Sequence, residues 1–170
     1  MSENVRLELA WRMHDSAAGA IDRADTKAGF AATVETALAA VVLSLVSQSH
    51  GAPLAVRVLF GVALAALAVA LGCALLVVVP RLHRPGYKLV AGEFLYFGAV
   101  RLRSIRELRR HIDPEVYGEL VAEPWEAVSH HAKRLADIAW AKHRWLRISF
   151  AAATAGVLFA VAGVLIGGAR

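Results

Sequence analysis

Four side chains in this sequence have the chemistry needed to hold a small nucleotide. Lys27, Lys142 and Arg144 stand at the ends of apolar segments and carry the positive charge that binds phosphate. Tyr96 belongs to a short aromatic run between them, and a nucleobase can stack on such a ring. Lysine and arginine also occupy such positions for structural reasons, because their stems lie along hydrocarbon while the charge reaches water. We predict a ligand site made by these four residues, with the structural role as the alternative.

Three acidic residues accompany these cations. Asp22 and Asp25 lie about one helical turn apart and could form a metal-binding or acid–base pair, but Arg23 and Lys27 alternate with them. Opposite charges at helical spacing pair with one another, so we predict that Asp22 and Asp25 hold their helix in place. Glu35 lies within an apolar run. It is predicted either to face the bundle interior or a pore, a partner subunit or water, or to lie at the level of the lipid headgroups.

No constellation of residues supports catalysis or a metal site. The sequence lacks a phosphate-binding glycine loop, a Gly-x-Ser-x-Gly turn and a His-Glu-x-x-His helix. His130 and His131 are adjacent, so on a helix their side chains diverge by about 100° and chelate a metal poorly. We therefore predict no enzyme, no catalytic residue, no metal and no cofactor.

The composition of the chain is that of a membrane protein. Of its 170 residues 58% are apolar, against about 45–50% in ordinary globular domains, and the excess is clustered. The net charge of +5 comes from residues 80–147, which hold 13 Lys and Arg against 8 Asp and Glu. We predict that this segment lies in the cytoplasm beside anionic lipid and does not bind DNA or RNA.

Apolar segments long enough to span a bilayer divide the chain into six parts. A helix of about 20 apolar residues crosses the hydrocarbon core. We predict an all-α membrane protein with three transmembrane helices, an N-terminal cytoplasmic helix and a helical cytoplasmic insertion between spans two and three. The predicted order is the N-terminal helix (1–27), span one (28–47), an extracytoplasmic hairpin (48–57), span two (58–79), the insertion (80–147) and span three (148–168).

The distribution of positive charge predicts the orientation of the spans. The N-terminal segment has 4 Lys and Arg and the insertion has 13, whereas the hairpin has Arg57 alone. Because cytoplasmic loops are enriched in Lys and Arg, the N-terminus and the insertion are predicted to be cytoplasmic. The predicted location is the cell (inner) membrane, crossed several times.

Two helices are predicted to continue from the cytoplasm into the membrane. Apart from Gly29, no residue between Ala20 and Phe30 breaks a helix, and no Gly or Pro follows Pro124 before Gly156. The third span also has small residues at intervals that permit close helix packing, and we predict that a homo-oligomer assembles through them. They are Ala152, Gly156, Ala160, Gly163 and Gly167.

Two short elements are predicted within the insertion. Glu93–Gly98 (EFLYFG) is a candidate strand or buried turn. Asp113–Glu123 is a candidate helix, because Asp113 can cap it and Pro114 suits its first position.

Several motifs, taken in order, resemble those of one known family. Asp22–Ala28 (DRADTKA) leads into a span and resembles the Asp-x-Lys-Ala signature of the Pycsar effector family, the membrane effectors of the pyrimidine cyclase antiphage defence system. Phe94–Gly98 (FLYFG), Pro114–Leu120 (PEVYGEL) and Leu135–Lys142 (LADIAWAK) resemble later motifs of that family in the same order. The resemblance extends over residues 5–168.

The resemblance implies a sensor that acts as an effector. A companion cyclase would make cyclic CMP or cyclic UMP during phage infection, and the effector would respond by impairing the lipid bilayer. Two features depart from the family pattern: Glu35 stands where a neutral polar residue is expected, and no cyclic-nucleotide-binding β-roll is recognisable. A structural or accessory membrane subunit without a ligand, and a small channel or transporter, stay open as alternatives.

Overall fold

The computed structural model is all-α over the residues it describes. These are 2–49, 51–79, 93–112 and 123–168, with the backbone alone at 111 and 112. No strand occurs in these ranges, which confirms the predicted fold class. The helices of this part of the chain are α1 (Glu3–Gln48), α2 (Leu54–Val78), α3 (Phe97–Leu102), α4 (Ile105–Ile112) and α5 (Pro124–Gly168).

Three of these helices, α1, α2 and α5, are long and apolar enough to cross a membrane. α1 has 46 residues and α5 has 45, more than twice the roughly 20 that the hydrocarbon core requires. Each runs without interruption from a charged stretch into an apolar one. The two predicted continuous helices are therefore confirmed, because nothing in either sequence interrupts the backbone hydrogen bonding.

The chain is divided into two units, and α1 and α5 contribute to both. The first unit comprises Met1–Asp22 and Pro80–Trp140, and the second comprises Arg23–Val79 and Ala141–Arg170. Within α1 and α5, the division precedes the membrane boundary predicted from the sequence, by five residues in α1 and by seven in α5. The charged residues between division and boundary therefore belong to the same unit as the apolar spans.

In the second unit, α1 and α5 run parallel to one another. Asp25 contacts Lys142, and further along both helices Glu35 contacts Ser149. Residue numbers thus increase in the same direction along both helices, as expected for two spans that enter the membrane from the same side.

The contact between α2 and α5 depends on glycines. A Cβ on Gly156 would lie 3.0 Å from Cγ of Leu67 and 3.1 Å from the carbonyl oxygen of Ala63. A Cβ on Gly163 would lie 2.8 Å from the Phe60 ring. Because Gly163 follows Gly156 while Phe60 precedes Leu67, α2 runs antiparallel to α5. The predicted close packing is confirmed, and for these two glycines the packing partner is α2 of the same chain. Their role in a homo-oligomer stays a prediction.

Two apolar clusters form the interior of the second unit. Its outside also has large apolar side chains, such as Phe30 and Leu165, as expected of helices whose neighbour is hydrocarbon. The hairpin cluster contains Val42, Val56, Phe60, Ala63, Leu67 and Ala160. The charged-end cluster contains Ala24, Ala28, Val77 and Leu146.

In the first unit, the aromatic run bends and leads into α3. Glu93, Phe94 and Tyr96 are buried there, and α3 begins at Phe97. The strand predicted for this run is wrong, and the alternative of a buried turn is close to the bend that forms. The guanidinium of Arg103 lies 4.0 Å from the Phe94 ring centroid, and its Nε donates to the carbonyl oxygen of Glu93 at 3.2 Å. These contacts stabilise the bend. A strand at this position would instead need a second strand to pair with.

A capping box begins α4. The backbone N–H of Ser104 donates to Oε2 of Glu107 at 2.7 Å, and the N–H of Glu107 donates to Oγ of Ser104 at 3.2 Å. The hydrogen bonds from Ser104 hold the pKa of Glu107 below its ordinary value. The predicted helix Asp113–Glu123 and the motif Pro114–Leu120 fall on 113–122, outside the described residues.

Candidate functional site

An ion pair joins α1 and α5 where the charged stretch of each helix meets its apolar stretch. Lys142 donates a hydrogen bond from Nζ to Oδ1 of Asp25. The Lys142 side chain is 7% exposed and that of Asp25 is 39% exposed, so the cation is the more deeply buried charge. Ala28 and Leu146, members of the charged-end cluster, lie one turn further along each helix. The pair therefore connects the two helices at the polar end of an apolar interior.

The other two cations predicted to bind a ligand are exposed. Lys27 lies two residues after Asp25, and Arg144 lies two residues after Lys142. Two residues correspond to about 200° around an α-helix, so both side chains point away from the ion pair. Within the second unit, the structure thus brings Lys142 to Asp25 and leaves Lys27 and Arg144 on the surface. Asp22 is exposed and belongs to the first unit.

Glu35 is buried in the apolar part of the second unit. Its side chain is 2% exposed, and Oε1 accepts a hydrogen bond from Oγ of Ser149 at 2.6 Å. Sequence reasoning left open whether Glu35 faces the bundle interior or the headgroups, and in the structure it lies inside the bundle. The sequence did not identify Ser149 as the partner of Glu35, although Ser149 follows Lys142 by seven residues and therefore lies on the same face of α5.

Tyr96 lies in a succession of rings in the first unit, called the ring stack below. Its ring centroid is 6.4 Å from that of His131, which is 4.9 Å from that of His14, and the centroids of His14 and Trp11 are 5.2 Å apart. The stack draws on α1, α5 and the bend before α3. Sequence reasoning missed its α1 members, although Trp11 and His14 stand three residues apart on one helical face.

A salt bridge with a buried carboxylate holds the bend against α5. Glu93 is 3% exposed, and its Oε1 accepts a hydrogen bond from Nε of Arg134 at 2.7 Å. This contact positions the residues that follow Glu93, Tyr96 among them. Sequence analysis did not single out Glu93, because an acid at the edge of an aromatic run is indistinguishable by type from a solvated one.

The ring stack is expected to make the first unit sensitive to acid. Burial lowers the pKa of His131 below its ordinary value of 6.5, and the neighbouring His14 lowers that pKa further. The unfolded chain therefore binds more protons, so stability rises with pH. This contribution is complete above about pH 6.5 and is lost as the pH falls through the pKa of the folded protein.

We expect the melting temperature of the first unit to fall when the pH is lowered from about 7.5 to 5.5. Replacing His131 with glutamine should remove most of this dependence, measured by tryptophan fluorescence during heating in detergent. The matched control is His130→Gln, since His130 is the exposed neighbour on the same helix. An unchanged pH dependence in His131→Gln would contradict the assignment.

Comparison with known proteins identifies a family to which the chain is similar over most of its length. The family model of the Pycsar effector protein domain matches residues 9–167. No curated protein and no solved structure matches the chain. The matched range contains the Asp25–Lys142 ion pair, the Glu35–Ser149 contact and the ring stack.

Proposed function

Because the chain belongs to the Pycsar effector family and is therefore an antiphage defence effector, we propose that it senses a cyclic pyrimidine mononucleotide and impairs the membrane. The nucleotide, cyclic UMP or cyclic CMP, is the product of a companion cyclase and acts at the cytoplasmic face. The observation that carries this proposal is the Asp25–Lys142 ion pair, which connects two spans at their charged end.

An anionic ligand can exchange with the carboxylate in this pair. The phosphodiester of a cyclic mononucleotide has a single negative charge, as does Asp25. Because the Asp25 side is 39% exposed, a phosphate can approach Lys142 from that side and replace one anion by another. The exposed Lys27 and Arg144 raise the local positive potential and attract the ligand. Tyr96 belongs to the first unit, and its predicted role as the stacking partner of a base stays a prediction from the chemistry of its ring.

Exchange of the anion releases α1 from α5. The two helices then lose the ion pair between Asp25 and Lys142, and the spans repack. The protein is then in equilibrium between an arrangement in which α1 and α5 are paired and one in which they are released. A ligand shifts this equilibrium only if it binds the released arrangement more tightly than the paired one. In this proposal, repacking of the spans in the bilayer is the step that impairs the membrane.

The proposal places the N-terminus and residues 80–147 in the cytoplasm. The 13 Lys and Arg of residues 80–147 favour this orientation, because cytoplasmic segments are enriched in positive charge. Nucleotide should therefore act from the cytoplasmic side alone.

The decisive experiment is a titration of the purified full chain in detergent with cyclic UMP and with cyclic CMP, by calorimetry. The same protein in membrane vesicles should leak a trapped dye when nucleotide reaches the cytoplasmic side, and should not leak when it reaches the other side. A ligand-free structural subunit would bind neither nucleotide, and a constitutive channel would leak without them.

Replacing Lys142 with methionine is expected to weaken nucleotide binding at least tenfold. The substitution removes a charge-assisted hydrogen bond to phosphate, worth about 1.5–3 kcal/mol, and a tenfold change corresponds to about 1.4 kcal/mol. The matched control is Lys133→Met, because Lys133 is a lysine of the same helix whose ion pair with Asp137 is exposed. Equal affinities in the two variants would contradict the assignment of Lys142.

A further inference from the structure

Glu35 is an unusual residue for its surroundings. It is the only Asp, Glu, Lys or Arg in residues 28–48, 58–78 and 148–168, the apolar parts of the three spans. Only one of its oxygens is satisfied: Oε1 accepts from Ser149, whereas Oε2 is buried and has no hydrogen-bond partner among the described residues. Buried polar atoms are nearly always paired, and ionisable residues at membrane depth mark ion and substrate pathways.

The polar groups around Glu35 do not balance its charge. The hydroxyls of Thr33 and Thr36 donate to carbonyl oxygens one turn back on their own helix. Lys142, the buried cation of this unit, is engaged by Asp25. No ion pair to Glu35 occurs in the described part of the chain. In its ionised form, the side chain is thus a negative charge without a counterion among the residues that the structure describes.

Within the second unit, the α1–α5 interface that contains Glu35 is also looser than the α2–α5 interface. Beyond Glu35, an apolar groove of about 260 Å³ lies between α1 and α5, with Leu38 and Val42 on one side and Val157 and Val161 on the other. The α2–α5 contact, by contrast, is so close that a Cβ at Gly156 would lie 3.0 Å from Cγ of Leu67. Separation of α1 from α5 therefore leaves the close glycine contacts between α2 and α5 intact.

We propose that Glu35 and Ser149 form a cation-selective constriction when α1 separates from α5. Water that enters this opening hydrates the unpaired carboxylate oxygen, and the carboxylate and hydroxyl oxygens then face the path. Oxygen ligands suit hard cations such as K⁺ and Na⁺, and acidic side chains select cations in channels. The opened protein thus passes alkali-metal cations in preference to anions. This proposal rests on the proposed membrane-permeabilising function and adds the class of solute that crosses.

The test measures reversal potentials of the full chain in planar bilayers under a KCl gradient, with cyclic UMP or cyclic CMP as the trigger. We expect the wild-type protein to favour K⁺ over Cl⁻ by about tenfold, the order of magnitude that one unit charge produces at close range in a hydrated path. Glu35→Gln keeps an oxygen for Ser149 and removes the charge, so its ratio should fall towards one. Glu35→Asp should retain the preference, and Glu8→Gln, which alters an exposed acid, should leave it unchanged.

The outcomes separate this proposal from the one on which it rests. A wild-type protein that never permeabilises the bilayer contradicts the proposed function and the constriction together. Nucleotide-triggered permeability without ion preference, or with a preference that Glu35→Gln retains, overturns the constriction alone.

A second measurement does not depend on the folding of Glu35→Gln. With Cys73 replaced by alanine, a cysteine introduced at Ser149 should react with a cationic thiosulfonate reagent after the nucleotide is added and stay unreactive before it. A cysteine at Leu158, an exposed residue of the apolar part of α5, should stay unreactive throughout. Permeability with an unreactive cysteine at position 149 would place the path elsewhere and overturn the proposal.

Discussion

Replacing Asp25 with alanine is expected to lower the free energy of unfolding by about 3 kcal/mol. Removing one partner of a buried ion pair costs about 3–5 kcal/mol, because the other charge is left without compensation. Here the remaining charge is Lys142, whose side chain is 7% exposed. The low end of the range applies because the Asp25 side is 39% exposed, so water can reach the site once the carboxylate is gone. The melting temperature should fall by roughly 6–12 °C.

Tryptophan fluorescence during heating in detergent measures this loss, since Trp145 packs against the charged-end cluster beneath the pair. The matched control is Asp137→Ala, which breaks an aspartate–lysine pair within α5. The side chains of Asp137 and Lys133 in that pair are 59% and 71% exposed. Exposed pairs within a helix contribute about 0.3–0.5 kcal/mol, so the control should change little. Equal losses in the two variants would show that the Asp25–Lys142 contact does not stabilise the spans.

Replacing Gly156 with leucine is expected to disrupt the packing of α2 against α5. Extra atoms in a packed interior cost about 1–3 kcal/mol, and sometimes more. The upper end is expected here because the first added atom already lies 3.1 Å from the carbonyl oxygen of Ala63, which is backbone and cannot rotate away. We therefore expect a loss of about 3 kcal/mol and a reduced yield of monodisperse protein, measured by thermal unfolding and size-exclusion chromatography.

The control for this substitution is Gly72→Leu. Gly72 lies in α2, and a Cβ added there meets no atom within 4 Å. A leucine at that position faces open space, which in a membrane is hydrocarbon, so stability should change by less than about 0.5 kcal/mol. A similar loss in both variants would mean that leucine harms these helices through something other than the α2–α5 contact.

The contacts that α5 makes through Lys142 and Ser149 explain why part of the candidate site could not be predicted from the sequence. Lys142 and Arg144 have the same charge and stand two residues apart, yet one is buried against Asp25 and the other is exposed. The sequence treats them as equivalent cations at the end of a span. Their difference is the rotation of α5 about its own axis, which packing against α1 and α2 sets.

The aromatic residues of the first unit also show that residue type alone does not predict contacts between distant segments. Tyr96 was singled out as an aromatic residue able to stack, but its neighbours in the ring stack, His14 and His131, come from helices distant in sequence. The buried Glu93 beside it pairs with Arg134, a contact between residues 41 positions apart. Residue type identified Tyr96 as a candidate, and only the packing of three segments identified its surroundings.

The sequence by itself determined the three long helices, their continuity and the family. Apolar content, helix-breaking residues and motif order are properties of short stretches, so they can be read before any packing is known. The tertiary structure alone decided which polar groups meet: Asp25 with Lys142, and Glu35 with Ser149, pairs 117 and 114 positions apart. Such contacts depend on the relative register and rotation of two helices. Those quantities are set by packing between distant segments, as in the charged-end cluster that α1, α2 and α5 share, and no local pattern encodes them.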